Sequence, residues 1–247
     1  MQIKNQVIVI TGSSSGIGEA TAYLFASEGA RIVVNSESNI EGGMRVMEKI
    51  KDMKGEAIYV QADVSDPIQA KLLIDKTVET FGEINILINN AGGYESQDFL
   101  TASKESWLRV FDKNLFSTIL CSQYAAQVML KNGGGKILNT ASVYGWENTG
   151  DPTGMAYSVA KAGVISLTKN LAKFWSPTIL VNAVAPGYVH IPRFDTYPEE
   201  TQAQMKAEML LGRFIEPSEV AEAFLYLAKN DAVTGEVHRV DGGFGLK

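Results

Sequence analysis

The chain has 247 residues, 45% of them hydrophobic and 20% charged, with a net charge of -6. That length allows one large α/β domain or two small ones, and the acidic balance argues against a nucleic-acid partner, whose phosphates attract a basic surface. A lone cysteine, Cys121, excludes an internal disulfide, and two distant histidines, His190 and His238, exclude an ordinary metal site.

The opening "MQIKNQVIVITGSSSGIG" has an apolar run of only Val7 to Ile10 before a glycine-rich turn, so neither a signal peptide nor a membrane span is expected. A cytoplasmic, metal-free protein is the expectation. From there, β-branched runs alternate with amphipathic stretches. In order, the strand-like runs are "QVIVIT", "RIVVN", "EAIYVQ", "INILINN", "GKILNTAS", "ILVNAVAP" and, weakly, "EVHRV". Helix-like segments cover Ile17 to Ser27, Ile40 to Lys54, Pro67 to Phe81, Trp107 to Lys131 and Ala156 to Trp175. The strands are apolar on both faces, as in a parallel sheet covered by helices on each side. The alternation predicts a doubly wound α/β fold of about seven strands, and with no linker or repeat the whole of 1–247 reads as one domain. The stretch at about 187–212 interrupts the alternation after a strand's carboxyl end, where such sheets bind ligands, and reads as a lid.

"VIVITGSSSGIGEATAYLFASEGA" is a strand, a glycine-rich turn and a helix. Gly12, Gly16 and Gly18 allow the backbone to approach a pyrophosphate, whose charge the helix N-terminus favours. The same letters, Gly12-Ser13-Ser14-Ser15-Gly16, also fit the nucleophile elbow of a serine hydrolase, with Asp231 and His238 following in a suitable order. The turn comes after the first strand, however, and "NGGG" (Asn132 to Gly135) lacks the histidine of a hydrolase oxyanion motif.

Further along, "MAYSVAKAGV" places Tyr157 and Lys161 one turn apart on one helix face. Hydride transfer to a carbonyl needs a proton donor for the developing alkoxide, and the reverse needs a base. A free tyrosine, with a pKa near ~10, is poorly matched to neutral pH. A nearby ammonium is expected to lower it. Ser142, closing "GKILNTAS", can hydrogen-bond the substrate oxygen. Asn114 is an unfavourable residue for a helix interior.

Thr11-Gly12-Ser13-Ser14-Ser15-Gly16-Ile17-Gly18, Asp63-Val64, Asn89-Asn90-Ala91-Gly92, Asn114, Ser142, Tyr157-x-x-x-Lys161 and Pro186-Gly187 occur in an order that resembles the short-chain dehydrogenase/reductase family. The likeness spans essentially the whole chain and sits nearest the 3-oxoacyl-[acyl-carrier-protein] reductase branch and its sugar and alcohol dehydrogenase relatives. It implies a single Rossmann-type domain that moves a hydride between NAD(P)(H) and a secondary alcohol or ketone. Tyr157 would then be the general acid/base and Lys161 would tune it while holding the nicotinamide ribose. Ser142 would stabilise the substrate oxygen, and Asn114 would support a proton path to the lysine. The resemblance also assigns the cofactor to Gly12, Ser14, Ser15, Gly16, Ile17, Gly18, Asp63, Val64, Asn90, Ala91, Gly92, Pro186, Gly187 and Val189, and implies a homotetramer formed through the long helices. A non-catalytic dinucleotide sensor is a further alternative, but it would need none of the Tyr/Lys/Ser/Asn set.

Cofactor choice turns on the end of the second strand. Ser36 stands where NAD-using relatives often carry Asp, and Glu37 where NADP-using ones often carry Arg. Ser15 replaces a cation of the NADP users' glycine loop. A carboxylate there accepts from ribose hydroxyls and repels a 2′-phosphate, so NAD is expected over NADP. Ile191 occupies the place of a threonine that many relatives use to bind the carboxamide. Tyr94, Ser142, Tyr144 and Trp146 are the expected substrate pocket, and Arg193 in the lid is a candidate for meeting an anionic substrate. An NADPH-dependent acyl-carrier reductase is the alternative reading, but it would ordinarily present a basic docking patch.

Overall fold

The computed structural model describes residues 1–147 and 149–246, with Arg193 by its backbone alone. Seven strands make one parallel sheet in the order β3-β2-β1-β4-β5-β6-β7. They are β1 (Val7–Ile10), β2 (Arg31–Ser36), β3 (Glu56–Gln61), β4 (Ile86–Asn89), β5 (Gly135–Thr140), β6 (Ile179–Pro186) and β7 (Val237–Val240). Successive side chains of a strand point to opposite faces, which splits the core in two. Ile8 and Ile10 join Phe25, Ile50 and Phe224 on one side. Val9 joins Leu73, Cys121 and Met129 on the other. Strands β1, β4 and β5 are buried along their whole length, β1 as an unbroken apolar run and β4 and β5 with polar residues, Asn89, Lys136, Asn139 and Thr140, among the buried ones.

Helices α1 (Gly16–Ser27), α2 (Ile40–Asp52) and α8 (Pro217–Lys229) supply the first layer, and α3 (Pro67–Phe81), α5 (Ser117–Lys131) and α6 (Met155–Trp175) supply the second. Their ends follow the local chemistry. The Asp66 carboxylate accepts from the Ile68 and Gln69 amides with Pro67 in the first turn, and Gly82 closes α3 in the left-handed region. α8 is an addition to the expected elements, started by Pro217, with Glu219 accepting from the Glu216 amide at 2.8 Å.

The helix expected over Trp107 to Lys131 differs in form. α4 (Lys104–Phe111) runs into a π-helical turn, Asp112–Phe116, before α5 begins. Asn114 sits in that turn, and its side chain donates to the Val110 carbonyl at 3.0 Å. An asparagine amide competing for helix backbone groups is a physical reason for the wider turn, and such bulges gather at functional sites.

After β6 the chain makes the expected excursion. A parallel bridge between Val189 and Ile215 pins its base, with His190 N donating to Ile215 O at 2.7 Å. Between these lie a 3₁₀ turn (Pro192–Thr196) and α7 (Glu199–Ala207), and no residue of α7 is buried. The sheet's winding reverses between β1 and β4, and the crevice at such a switch point opens at the strands' carboxyl ends.

Candidate active site

The glycine loop forms the floor of that crevice. Gly12 has a φ of +61°, and a Cβ there would lie 2.8 Å from Ala91 Cα, so the β1 turn and the start of the β4 loop touch through backbone alone. A Cβ on Gly18 would lie 2.5 Å from Gly12 O and 2.6 Å from Asn90 Nδ2, which holds α1 against the same turn. Asn90 Nδ2 donates to the Thr11 and Gly12 carbonyls, and Thr11 Oγ1 accepts from the Asn90 and Ala91 amides. Asn35 is a member of this scaffold that the motifs did not reveal. It is buried in β2, accepts from Gly12 N at 3.2 Å, and donates to the Val60 and Ala62 carbonyls. A polar residue inside "RIVVNS" was the available signal.

Gly12, Ser14, Ser15, Ser36, Glu37, Asp63, Val64, Ala91 and Gly92 line a cavity of about 270 Å³ above this floor. Gly16, Ile17, Gly18 and Asn90 do not line it. Ile17 packs on the core, and the other three shape the turn and helix start. Ser36 lines the cleft with its hydroxyl already engaged, bonded to Tyr59 Oη at 2.8 Å and to the Asn39 carbonyl at 2.9 Å. One Asp63 oxygen accepts from the Ser65 amide and hydroxyl. Lys113, from the π-turn, also lines the cleft and was not expected there. A backbone floor, the open amide end of α1 and carboxylates near the rim fit a dinucleotide, whose pyrophosphate suits the first two features and whose ribose hydroxyls suit the third.

A second cavity, of about 530 Å³, is lined by Tyr94, the residue after Gly93 of the first cavity's wall. Tyr94, Ser142 and Tyr144, read from the sequence as substrate-pocket residues, line it beside Tyr157; so do Gly187 and Val189, which the resemblance assigned to the cofactor and which do not line the first cavity, together with Ile191 and the unforeseen Tyr188, Phe194, Glu208 and Phe244. Pro186 is buried at the end of β6 and lines neither cavity. Trp146 requires a correction. It is not in this wall, because its ring lies under the Arg239 guanidinium at 5.1 Å and packs with the cluster of Ala141 and Val164. The Arg193 side chain lies outside the described residues.

Tyr157 and Ser142 line the second cavity, whereas Lys161 and Asn114 line neither and lie against Gly92, which lines the first. The Ser142 hydroxyl hydrogen-bonds Tyr157 and accepts from the Tyr144 amide at 3.2 Å. Lys161 Nζ donates to the Thr140 carbonyl at 2.8 Å and lies 5.6 Å from the centre of the Tyr157 ring. Asn114 Oδ1 accepts from Gly93 N, and Nδ2 donates to Gly93 O. A Cβ on Gly92 would fall 2.6 Å from Asn114 Oδ1 and 3.6 Å from Lys161 Nζ, so both side chains reach the underside of one loop.

The electrostatics depart from the sequence expectation. Burial raises the Tyr157 phenol above its ordinary value, against the lowering effect of the Ser142 hydrogen bond. Burial also brings the Lys161 ammonium down to about 8. Desolvation disfavours the charged form of each group, and the ammonium points to the end of β5 and to the ring face rather than to the phenol oxygen.

The hydrolase alternative finds no constellation. Ser14 follows the carboxyl end of β1, whereas Asp231 binds Lys136, at the amino end of β5, and the chain's amino terminus. His238 lies beside the Tyr226 ring. Among the described residues, no cluster could hold a metal ion and no helix is long and apolar enough to cross a membrane.

The fold and the two cavities define the class first, a Rossmann-type α/β protein that can set a dinucleotide beside a second ligand. Residues 12–245 match the family model described as enoyl-(acyl carrier protein) reductase. The chain is 36% identical over 248 residues to a 3-oxoacyl-[acyl-carrier-protein] reductase of Thermotoga maritima, covering 98% of this chain and 99% of that one. It is 37% identical over 243 residues to the cis-4-hydroxycyclohexanecarboxylate dehydrogenase of Sinomonas cyclohexanicum, covering 97% and 96%. A solved structure described as a short-chain alcohol dehydrogenase of Sinorhizobium meliloti superposes with a TM-score of 0.91 at 28% identity, covering 99% and 98% of the two chains. The chain belongs to the short-chain dehydrogenase/reductase family, and it is an NAD(P)-dependent oxidoreductase acting on alcohol and keto groups.

Proposed function

We propose that Tyr157 is the general acid/base of this enzyme, assisted by Ser142, Lys161 and Asn114, and that it prefers NAD over NADP. The grouping of these four side chains, with Tyr157 and Ser142 in the wall of the second cavity and Lys161 and Asn114 against Gly92 in the wall of the first, carries the reading. The nucleotide, when bound, supplies or accepts the hydride. Tyr157 passes the proton to or from the substrate oxygen, and Ser142 hydrogen-bonds that oxygen as charge develops on it. A phenol kept protonated by burial suits proton donation to a ketone. Lys161, held by Thr140, places its ammonium beside the Tyr157 ring, where it would hold the nicotinamide ribose, and Asn114 anchors the loop at Gly93. The nucleotide is held by Gly12, Ser14, Ser15, Asp63, Val64, Ala91 and Gly92.

For the nucleotide preference, the support is Glu37, exposed in the cleft wall, where a carboxylate accepts from ribose hydroxyls and repels a 2′-phosphate. Ser36 makes no such contribution, because its hydroxyl is spent within the protein. The excursion from Val189 to Ile215 acts as a lid on the second cavity, to which it contributes Ile191, Phe194 and Met205. The substrate is a small secondary alcohol or ketone, and the enzyme works in the cytoplasm as a single-domain subunit of a homotetramer. Reduction of an acyl-carrier thioester with NADPH is the second reading, favoured by the Thermotoga maritima relative.

Fluorescence titration with NADH and with NADPH tests the preference. NADH is expected to bind about tenfold more tightly, and tighter NADPH would overturn the Glu37 reading and bring the acyl-carrier reduction forward. Tyr157→Phe is expected to cut turnover by about 10²- to 10⁴-fold with the nucleotide Kd unchanged. Retained turnover would remove Tyr157 from its role.

A further inference from the structure

The second cavity carries more information than the reaction type. Three rings form a corner of its wall: Tyr144 and Phe244 at 5.7 Å between centres, Tyr188 and Phe244 at 5.7 Å, and Tyr144 and Tyr188 at 6.1 Å. Each pair is near perpendicular, with interplanar angles of 86°, 88° and 78°. They come from three places, the loop after β5, the loop after β6 and the carboxyl-terminal turn, so no single motif announces them. Two carboxylates share the same wall. Glu208 Oε2 accepts from the Tyr188 hydroxyl at 3.1 Å, and that hydroxyl lies 2.6 Å from Tyr144 Oη. From the other side, Asp151 accepts from the Tyr94 hydroxyl through Oδ2 and from the Thr153 amide through Oδ1.

The field of both carboxylates reaches the corner. Burial raises the Tyr144 and Tyr188 phenols first, and the charges of Asp151 and Glu208 each raise both further, with Tyr188 pushed up to about 12. Asp151 itself stays below the usual carboxylate range, because hydrogen bonds from Tyr94 and Thr153 outweigh the opposing effect of its burial. At neutral pH the phenols of the corner are therefore neutral, with the Glu208 carboxyl group bonded to one of them and the Asp151 carboxylate elsewhere in the same cavity wall. Aromatic rings and carboxylates in one cavity wall favour the same visitor, a cation desolvated against aromatic walls.

We propose that the cavity selects a ring-bearing alcohol or ketone that carries a protonated amine, with the ammonium seated at the Tyr144–Tyr188–Phe244 corner between Glu208 and Asp151. This rests on the alcohol/ketone reading above, with the reacting carbon at Tyr157 and Ser142 on the same cavity wall. The cavity volume suits a ligand of that size. A carboxylate in the same place would meet two like charges.

The test uses three ring ketones of equal size bearing an aminomethyl, a hydroxymethyl or a carboxylate group across the ring. Turnover is measured with NADH and NADPH. In parallel, calorimetry measures binding of cyclohexylmethylamine, cyclohexylmethanol and cyclohexanecarboxylate, which lack the keto group, to the enzyme with nucleotide bound. The amine is expected to bind roughly tenfold more tightly than the alcohol, with the carboxylate weakest. Glu208→Gln is expected to shrink the amine-to-alcohol ratio several-fold, and because Glu208 is exposed the variant should fold. Phe244→Leu should shrink the same ratio by removing a ring face. Equal binding of all three ligands, or a ratio untouched by both variants, would overturn the proposal. A preference for the carboxylate would also overturn it and would turn attention to Arg193. Amine-selective binding without turnover of any ketone would leave the cavity assignment standing and count against the alcohol/ketone reading.

Discussion

At the scale of the residue, Lys161 shows how a site can work against its own stability. It is only 4% exposed, and burial brings its ammonium down from the ordinary 10.5 to about 8. Between those values the unfolded chain binds more protons than the folded one, so stability from this group rises with pH across that window. Below it the burial cost is complete, on the order of 3 kcal/mol. In Lys161→Met that cost is absent, offset by a Thr140 carbonyl left without its donor at about 1–3 kcal/mol. The nucleotide-free variant is expected to melt no lower than the parent near neutral pH, with turnover reduced at least about a hundredfold. Denaturant melts should show the parent gaining about 2 kcal/mol on the variant between about pH 7 and about pH 9.5. Parallel pH profiles would show that the ammonium is not desolvated as described.

At the scale of the element, the junction of β1 and α1 is a single packed unit. The glycine pattern in "TGSSSGIG" was legible because turn and close approach both demand a missing side chain. The loop's individual contacts were not legible, since Asn35 and Asn90 reach it from other strands. A Cβ on Gly18 would meet Gly12 O, Asn90 Nδ2 and Ser13 Cα, all within 2.7 Å, and two of these are backbone atoms that cannot step aside. Gly18→Ala is expected to cost about 1–3 kcal/mol in urea unfolding and to weaken nucleotide binding, because α1 must move away from the turn. An unchanged midpoint would mean that the helix accommodates the methyl by a shift this packing does not allow. The π-turn at Asp112–Phe116 belongs to the same scale. Asn114 was legible as an odd residue in a helix, but a change of hydrogen-bond register is decided by what its amide can reach. Here that is Val110 O below and Gly93 above.

At the scale of the whole molecule, the proposed homotetramer gives a use to apolar side chains left in water. Phe116, Val159 and Phe174 are 42%, 51% and 78% exposed along the π-turn and α6. Full burial of such a side chain is worth about 1.5–3 kcal/mol, and each of these stands to gain the part that its exposed fraction represents. Sedimentation velocity is expected to show a species of four 26.8 kDa chains, and Phe174→Glu should shift the population toward smaller assemblies. A monomer at working concentration would refute the assembly.

The sheet, its helices on both faces and the motif order were determined by local pattern, because strand period, helix period and turn chemistry each act over a few residues. Tyr157, Lys161, Ser142 and Asn114 were likewise visible, through spacing and through residue types that secondary structure alone would not choose. What only the tertiary structure decided involves distant segments. It turned Trp146 to Arg239 and away from the cavity, and it spent the Ser36 hydroxyl on Tyr59. It raised the Tyr157 phenol that a one-turn spacing to lysine would lower, because burial depends on the whole packed surroundings rather than on one neighbour. It also joined Tyr144, Tyr188 and Phe244 into one corner. Each of these outcomes depends on contacts made across the packed fold, and no short window of sequence contains both partners.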